Sequence, residues 1–510
     1  MSRFKQTNYN QDLMIVLNLE EQLKPGSFEY ALHHIIESRY DNSFLADEFN
    51  NEKTGRIAYP PKILLKIFLY CYANGILSSR KIERTCHNDI ILRALTSDLK
   101  PDHSTIAAFP KKLGSKLAEV FSEILLICHE EELLDGTRFA LDGLKLPSNA
   151  SKEYSGTFQH LKKKRNKFIR KAKALMNEHK KRDQRVRKGK PEEAPNTLSP
   201  SEKLLAAADK IGKFLEKSDP KTGVTGKEVQ SNITDNDSVK MHTSKGTVQG
   251  YNAQALVDEK HQVICEAQAS GQGQDSNLLG EILEGAQETI NKSGIGESFY
   301  KEKTLLVDSS YHSEKNLKAA EAFNIDTIAP DPNFRSRDQR FQDREHYKAK
   351  LRKKKTLFSL KDFRYDEGKD CYTCPNGKTL HLETKHSENQ KGDVYSRYKT
   401  KKDVCQNCEL KQHCLSKNGK NRSLNLPHES NNSKLCAKMR NRIDSPEAKE
   451  EYSKRMGIVE PVFANIRYNK SMNRFTYRGK QKVNWQWKLF CLVHNIEKIA
   501  HFGKSFKKVA

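Results

Sequence analysis

Long apolar stretches are missing from this chain of 510 residues. None reaches the roughly 18 consecutive apolar residues needed to cross a bilayer, so neither a membrane-spanning helix nor a membrane partner is expected. The amino-terminal stretch MSRFKQTNYNQDLMIVLNLEEQL has one short apolar run and no small-residue cleavage site, which argues against a secretory signal and for a cytoplasmic location. Acidic residues are scarce relative to basic ones: 65 Asp and Glu face 90 Lys and Arg, a formal charge of +25. Such a balance points to a polyanionic partner, nucleic acid above all. Nucleotide-cradling loops are also missing. Gly271-Gln-Gly273 has no third glycine where a dinucleotide turn needs one, Asp275 and Ser276 read as the cap of the next helix, and no phosphate-loop lysine motif occurs. Tryptophan is nearly absent; Trp485 and Trp487 suit core packing, with stacking on a flipped base as the other role open to them.

What is present divides into segments, as expected for a length that calls for two or three units. Residues 1–134 read as a helical domain. Pro60 and Pro61 open the run PPKILLKIFLYCYANG and Gly75 closes it, while Leu117, Val120, Phe121, Ile124, Leu125 and Cys128 recur at helical spacing. Its basic residues Arg80, Lys81 and Arg84 suit either DNA docking or a plain helical packing unit. TRFALDGLKL then reads as a strand that stops at PSNASK, with Asp142 near its end. A basic helical arm occupies 151–220; between Lys152 and Lys190 stand 16 Lys or Arg against 3 Asp or Glu. Lys162, Lys163, Lys164 and Arg165 lie at its densest point and suit phosphate contacts, although a charge run also serves as a solvated face. YNAQALVDE and HQVICEAQA form a hairpin, SNLLGEILEGAQETI a helix, KTLLVDSS a buried strand ending at Asp308, YHSEKNLKAAEAF a helix and IDTIAP a further strand. This order predicts a mixed α/β core, 135–330 and 441–510, interrupted by a cysteine-bearing insertion at 331–440. Asp444 or Ser445 can cap a helix that Pro446 begins.

Asp142 and Asp308 stand out because each ends an otherwise apolar strand, where an uncompensated carboxylate is costly; capping a following turn is the alternative for each. The segments DGLKLPSNASKEYSG, GYNAQALVD, VDSSYHS and YSKRMGIVEPVFANIR, in this order, resemble the bacterial DDE insertion-sequence transposases. YPPKILLKIFLYCYANGILSSRKIE, KPDHSTIAAF and HNIEKIA extend the resemblance over nearly the whole chain. It implies a ribonuclease-H-like core with one acid on the first strand, one after the fourth and a Glu on a late helix. The matching positions are Asp142, Asp308 and Glu460, catalytic residues and ligands of Mg²⁺ or Mn²⁺. It also implies a DNA-gripping signature around the Glu, matched by Tyr452, Arg455 and Arg467. Here Arg467 stands where Lys is usual, and four residues rather than three separate Arg455 from Glu460. Glu460 and Arg467, seven apart, would share a helical face, and Pro461 predicts a kink or a fresh helix start between Gly457 and Pro461.

The implied activity is metal-dependent excision and strand transfer of an insertion sequence. Its partners would be double-stranded DNA, both element ends and target, and a second copy of the chain, since two ends must be synapsed. A non-catalytic, zinc-containing nucleic-acid-binding protein and a ribonuclease-H-like nuclease are the alternatives. Eleven cysteines in a reducing compartment do not suggest disulfides. Cys371-Tyr-Thr-Cys374 and, thirty residues on, Cys405-Gln-Asn-Cys408 predict a structural Zn²⁺ site, with Cys414, His381 or His413 able to replace one ligand; reduced structural thiols are the other reading. The Pro-Asn-Gly turn after Cys374 would bring backbone amides to sulfur.

Overall fold

Two apolar runs, FAL at 139–141 and TLLV at 304–307, set the centre of the fold, because strands buried on both faces cannot tolerate polar side chains. A computed structural model of the chain describes residues 18–40, 43, 45–49, 57–114, 116–186, 199–223, 226–243, 246–296, 298–342, 357–388, 394–401, 404–416, 419–427 and 431–506. The amino-terminal stretch weighed as a signal, up to residue 17, and the end of the basic segment beyond residue 186 lie outside them.

The strands in chain order are β1 (Arg138–Pro147), the short pair β2 (Ser155–Gly156) and β3 (Ser231–Asn232), β4 (Val239–Thr243), β5 (Gly246–Asp258), β6 (Ile264–Ser270), β7 (Thr304–Val307) and β8 (Asp326–Ile328). The main sheet runs β4-β5-β1-β7-β8, with β6 also paired to β5. β1 is antiparallel to β5 and parallel to β7, which is parallel to β8; β5 is antiparallel to both β4 and β6. The predicted hairpin is therefore β5–β6, and the mixed α/β class holds. Between the strands lie the predicted helices α9 (Leu279–Ser293) and α10 (Glu314–Ala322).

The amino-terminal part is helical as expected, with α1 (Phe28–Arg39), α2 (Pro61–Ala73), α3 (Ser79–Asn88), α4 (Ile90–Leu95), α5 (His103–Leu113) and α6 (Lys116–Glu130). These helices share one continuous hydrophobic core with the sheet. The carboxy-terminal helix Lys480–Phe502 joins the two: Phe490 meets Tyr72 at 4.9 Å between ring centroids, Trp485 meets Phe68 at 5.9 Å, and Trp487 donates from Nε1 to the Gln254 carbonyl of β5 at 2.8 Å. Both tryptophans are thus core residues.

The basic arm is a pair of helices, α7 (Phe158–Val186) and α8 (Pro200–Lys217), the second opened by a Ser199/Glu202 capping box. The cysteine-bearing segment builds its own antiparallel sheet from β9 (Arg364–Asp366), β10 (Cys371–Thr373), β11 (Thr379–Glu388), β12 (Val394–Lys399) and β13 (Ser423–Pro427). A small separate core of Phe363, Leu380, Tyr398 and Leu424 holds it. Ser445, not Asp444, caps the helix Pro446–Ser453, its side chain accepting from the Ala448 N–H.

His494 pins the carboxy-terminal helix. Its Nε2 lies 2.9 Å from the Gln262 carbonyl and its Nδ1 3.0 Å from the Asn465 amide nitrogen. A carbonyl only accepts and an amide nitrogen only donates, so the ring is neutral with its proton on Nε2. Burial pushes its pKa down from 6.5 to about 3. The unfolded chain takes up a proton below 6.5 and the folded chain does not, so stability falls as pH drops from 6.5 toward 3; near pH 5 the loss is about 2 kcal/mol. Melting temperatures at pH 7 and pH 5 should show His494→Gln losing less than the parent. Equal losses would mean that another group sets the acid sensitivity.

Candidate active site

The parallel register pairs Leu141 with Val307, so the next residue on each strand, Asp142 and Asp308, emerges side by side. Asp142 accepts the Gly143 N–H on one oxygen (2.8 Å) and Arg455 Nη1 on the other (3.0 Å). Burial pushes its carboxyl above the ordinary aspartate range; Arg455 pulls the other way and Asp308 adds to the rise. Asp308 caps the 3₁₀ turn Ser309–Tyr311, taking the Ser310 N–H at 2.7 Å and the Ser310 hydroxyl on the same oxygen.

Gly143 explains why the motif reads Asp-Gly. A Cβ at this position would overlap the side chains of Asn252 and Gln254, which reach across from β5. Those two amides converge on Asp275: both donate to its Oδ1, Gln254 at 2.7 Å, while its Oδ2 lies 3.1 Å from Ser310 Oγ. Asp275 therefore does not cap the following helix, as its sequence context suggested. It opens the turn Asp275–Asn277 and turns its carboxylate inward, where three neutral donors outcompete a helix end. It is the acid that sequence reasoning missed, and only its place in a loop directly after a strand could have flagged it.

Arg455 opens the helix Arg455–Ala464 and is 8% exposed. Burial works against its charge, but Asp142, with Tyr452 and Asp308, raises its pKa. Its guanidinium lies 5.9 Å from the Tyr452 ring, and that ring packs edge-on against Phe334 at 5.4 Å. Of two expected DNA contacts, Arg455 is thus buried beside Asp142 and Tyr452 is partly buried against it.

Glu460 lies on the same helix but not on the same face. At about 100° per residue, five residues carry it roughly 140° around from Arg455. Val459, one turn on from Arg455, takes the inward position and is fully buried. Glu460 is exposed, and none of the described residues pairs with its carboxylate. The extra residue in the spacing is the physical reason. Pro461 does not bring a new start: the helix runs through it, and the break falls earlier, at Lys454 between the helices Pro446–Ser453 and Arg455–Ala464. The Gly457 carbonyl, which a residue other than proline at 461 would serve, accepts from Gln262 Nε2 at 3.0 Å. A further irregularity falls later, in the π-helical turn Asn465–Asn469, which carries Arg467 beside the exposed ring of Tyr468 (5.9 Å). That turn breaks the regular spacing on which a shared face for Glu460 and Arg467 depended.

Asp142 and Asp308 thus stand as a pair, and among the described residues no group of three His, Cys, Asp or Glu side chains is arranged to hold a metal. A recess of about 860 Å³ lined by Glu37, Arg39, Lys62 and Lys116 includes none of the site acids. On the arm, Lys162, Lys163 and Arg165 are exposed, whereas Lys164 turns back to the Glu153 carbonyl and over the Tyr154 ring (5.1 Å).

The cysteines rearrange the expected ligand set. Cys374, Cys405, Cys408 and Cys414 line one cavity of about 20 Å³. Cys371 does not line it; it is buried within β10, paired in register with Asp366 and His381. The turn after Cys374 does present donors to sulfur: Lys378 N–H to Cys374 Sγ and Asn376 Nδ2 to Cys408 Sγ, both 3.3 Å.

The close approach at Gly143 has a direct consequence. Gly143→Ala must push Asn252 and Gln254 aside, at a cost of about 1–3 kcal/mol, and should lower the melting temperature together with any DNA cleavage. A variant that melts and cuts like the parent would show that the two amides do not cover the glycine.

Two family models match the chain: a transposase domain (DUF772) over residues 17–112 and a transposase DDE domain over residues 373–500. The second begins inside the cysteine-bearing segment and runs through the Arg455 and carboxy-terminal helices. No curated protein and no solved structure matches. Among the described residues no helix is long and apolar enough to cross a membrane. A transposase domain at one end and a transposase DDE domain at the other support a DDE-type insertion-sequence transposase, an enzyme that acts on DNA and of a kind that generally depends on divalent metal.

Proposed function

We propose that this DNA transposase excises and rejoins its own insertion sequence at a ribonuclease-H-like site in which Asp142, Asp308 and Glu460 hold two divalent cations, Mg²⁺ or Mn²⁺. The observation that carries the reading is the emergence of Asp142 and Asp308 side by side from adjacent parallel strands. Strand order and direction support it: β5 runs antiparallel to both of its neighbours β6 and β1, and β7 and β8 continue in parallel from β1, the arrangement of ribonuclease-H-like cores.

Cations at such a site lower the pKa of an attacking water and stabilise the charge of the leaving oxygen. The chain's own residues prepare the ground. Arg455 fixes one oxygen of Asp142 and balances its charge against Asp308. Glu460, exposed on the helix that Arg455 begins, would have to turn toward the pair to supply the third carboxylate. Lys162, Lys163, Arg165 and Arg467 track the phosphates. Water, then a 3′ hydroxyl, attacks in line; each strand transfer exchanges one phosphodiester for another, so no high-energy cofactor is consumed. Synapsis of two element ends calls for a homodimer on DNA.

Zinc in the cysteine-bearing sheet belongs to the same reading, with Cys414 in place of Cys371. Four thiols around one small cavity, approached by N–H donors, are the donor chemistry of a structural Zn²⁺ site, although they would have to draw together to close it. Elemental analysis of the purified full chain should give one zinc per chain, lost on Cys405→Ser. A zinc-free chain that is folded and active would remove this part.

Asp142→Asn, Asp308→Asn and Glu460→Gln should each abolish Mg²⁺-dependent cleavage and joining of element ends while leaving DNA binding in a mobility-shift assay intact. Normal cutting by any one of them removes that residue from the site. Cleavage without joining by the parent chain would mark a nuclease, and binding alone a non-catalytic protein.

A further inference from the structure

Ser310 Oγ lies within hydrogen-bond reach of two carboxylates, Oδ1 of Asp308 and Oδ2 of Asp275. A hydroxyl carries a single proton and can donate to one of them at a time. The two outcomes differ for Asp308. Its Oδ1 already accepts the Ser310 N–H at 2.7 Å, so a second donation from the hydroxyl ties up the lone pairs with which that oxygen would meet a cation. Donation to Asp275 instead leaves Asp308 open.

We propose that Asp275 is a positioning residue for the metal site: it takes the Ser310 hydroxyl proton and so keeps Asp308 available to a divalent cation. Asp275 is held for this task from the opposite side. Asn252 and Gln254 both donate to its Oδ1, which fixes the carboxylate and leaves Oδ2 facing Ser310. Tyr311 in turn donates to the Gln254 carbonyl oxygen, so the amide nitrogen of Gln254 is the end that meets Asp275. Asn316 reaches the Asp275 backbone carbonyl (3.5 Å) and the Tyr311 carbonyl (3.0 Å), tying the two turns together. The inference rests on Asp308 being a metal ligand, as read above.

The chemistry of Asn at position 275 separates this role from simple support. In Asp275→Asn the amide oxygen still accepts from Asn252 and Gln254, but the amide nitrogen now donates to Ser310 Oγ, which drives the hydroxyl proton onto Asp308. Mn²⁺ binding to the full chain, followed by calorimetric titration, should weaken about fivefold, the factor that one net hydrogen bond represents. Removing the hydroxyl as well, in Asp275→Asn with Ser310→Ala, should restore binding to near the parent's affinity, and Ser310→Ala alone should bind Mn²⁺ at least as well as the parent. The Mg²⁺ concentration for half-maximal cleavage should follow the same order. Unchanged Mn²⁺ affinity in Asp275→Asn, no recovery in the double variant, or weaker binding by Ser310→Ala alone would each overturn the proposal. Asp308→Asn is the reference: if it binds Mn²⁺ and cuts like the parent, the metal site itself was misread, whatever the Asp275 variants do.

Discussion

The backbone pairing of Leu141 with Val307 is the constraint on which the rest of the site depends. Parallel strands in register deliver their next residues to the same edge, so two carboxylates meet at the end of a hydrophobic layer where neither can be fully hydrated. Everything around them answers that charge. Arg455 pairs with Asp142, backbone amides serve both acids, and Ser310 bonds to Asp308. Burial still leaves Asp142 with a raised pKa.

The surrounding architecture exists to hold this edge still. The carboxy-terminal helix ties the amino-terminal helices to the sheet through Phe490, Trp485 and Trp487, and His494 locks the same helix to the turn that follows the Arg455 helix. Loss of that helix would therefore loosen the acids without touching them. By contrast, the arm and the cysteine-bearing sheet stand on their own packing, the arm through α7 against α8 and the sheet through its small separate core.

The mixed sheet was legible from pattern alone, because apolar runs of strand length between helical periods leave few other solutions. The four thiols that share a cavity were less so: spacing favoured two Cys-x-x-Cys pairs, but β10 pairs Cys371 with its neighbours on either side, and a short helix at Lys411–Cys414 supplies the fourth sulfur. Likewise, Asp275 looked like a helix cap, since a local reading cannot see amides arriving from a strand more than twenty residues earlier.

By itself the sequence determined the polyanionic partner, most of the strands, and Asp308 at the end of its strand, since charge and hydrophobic period are local properties that folding does not alter. Asp142, expected at a strand end, lies instead in the middle of β1, which runs on to Pro147 because the whole stretch pairs with β5. Only the tertiary structure decided that Asp142 and Asp308 share an edge, that Arg455 faces them while Glu460, five residues on, turns outward, and that Asp275 joins through Ser310. Those are matters of register and of angle around a helix, and a shift of one residue reverses either without changing any composition or spacing that the sequence displays.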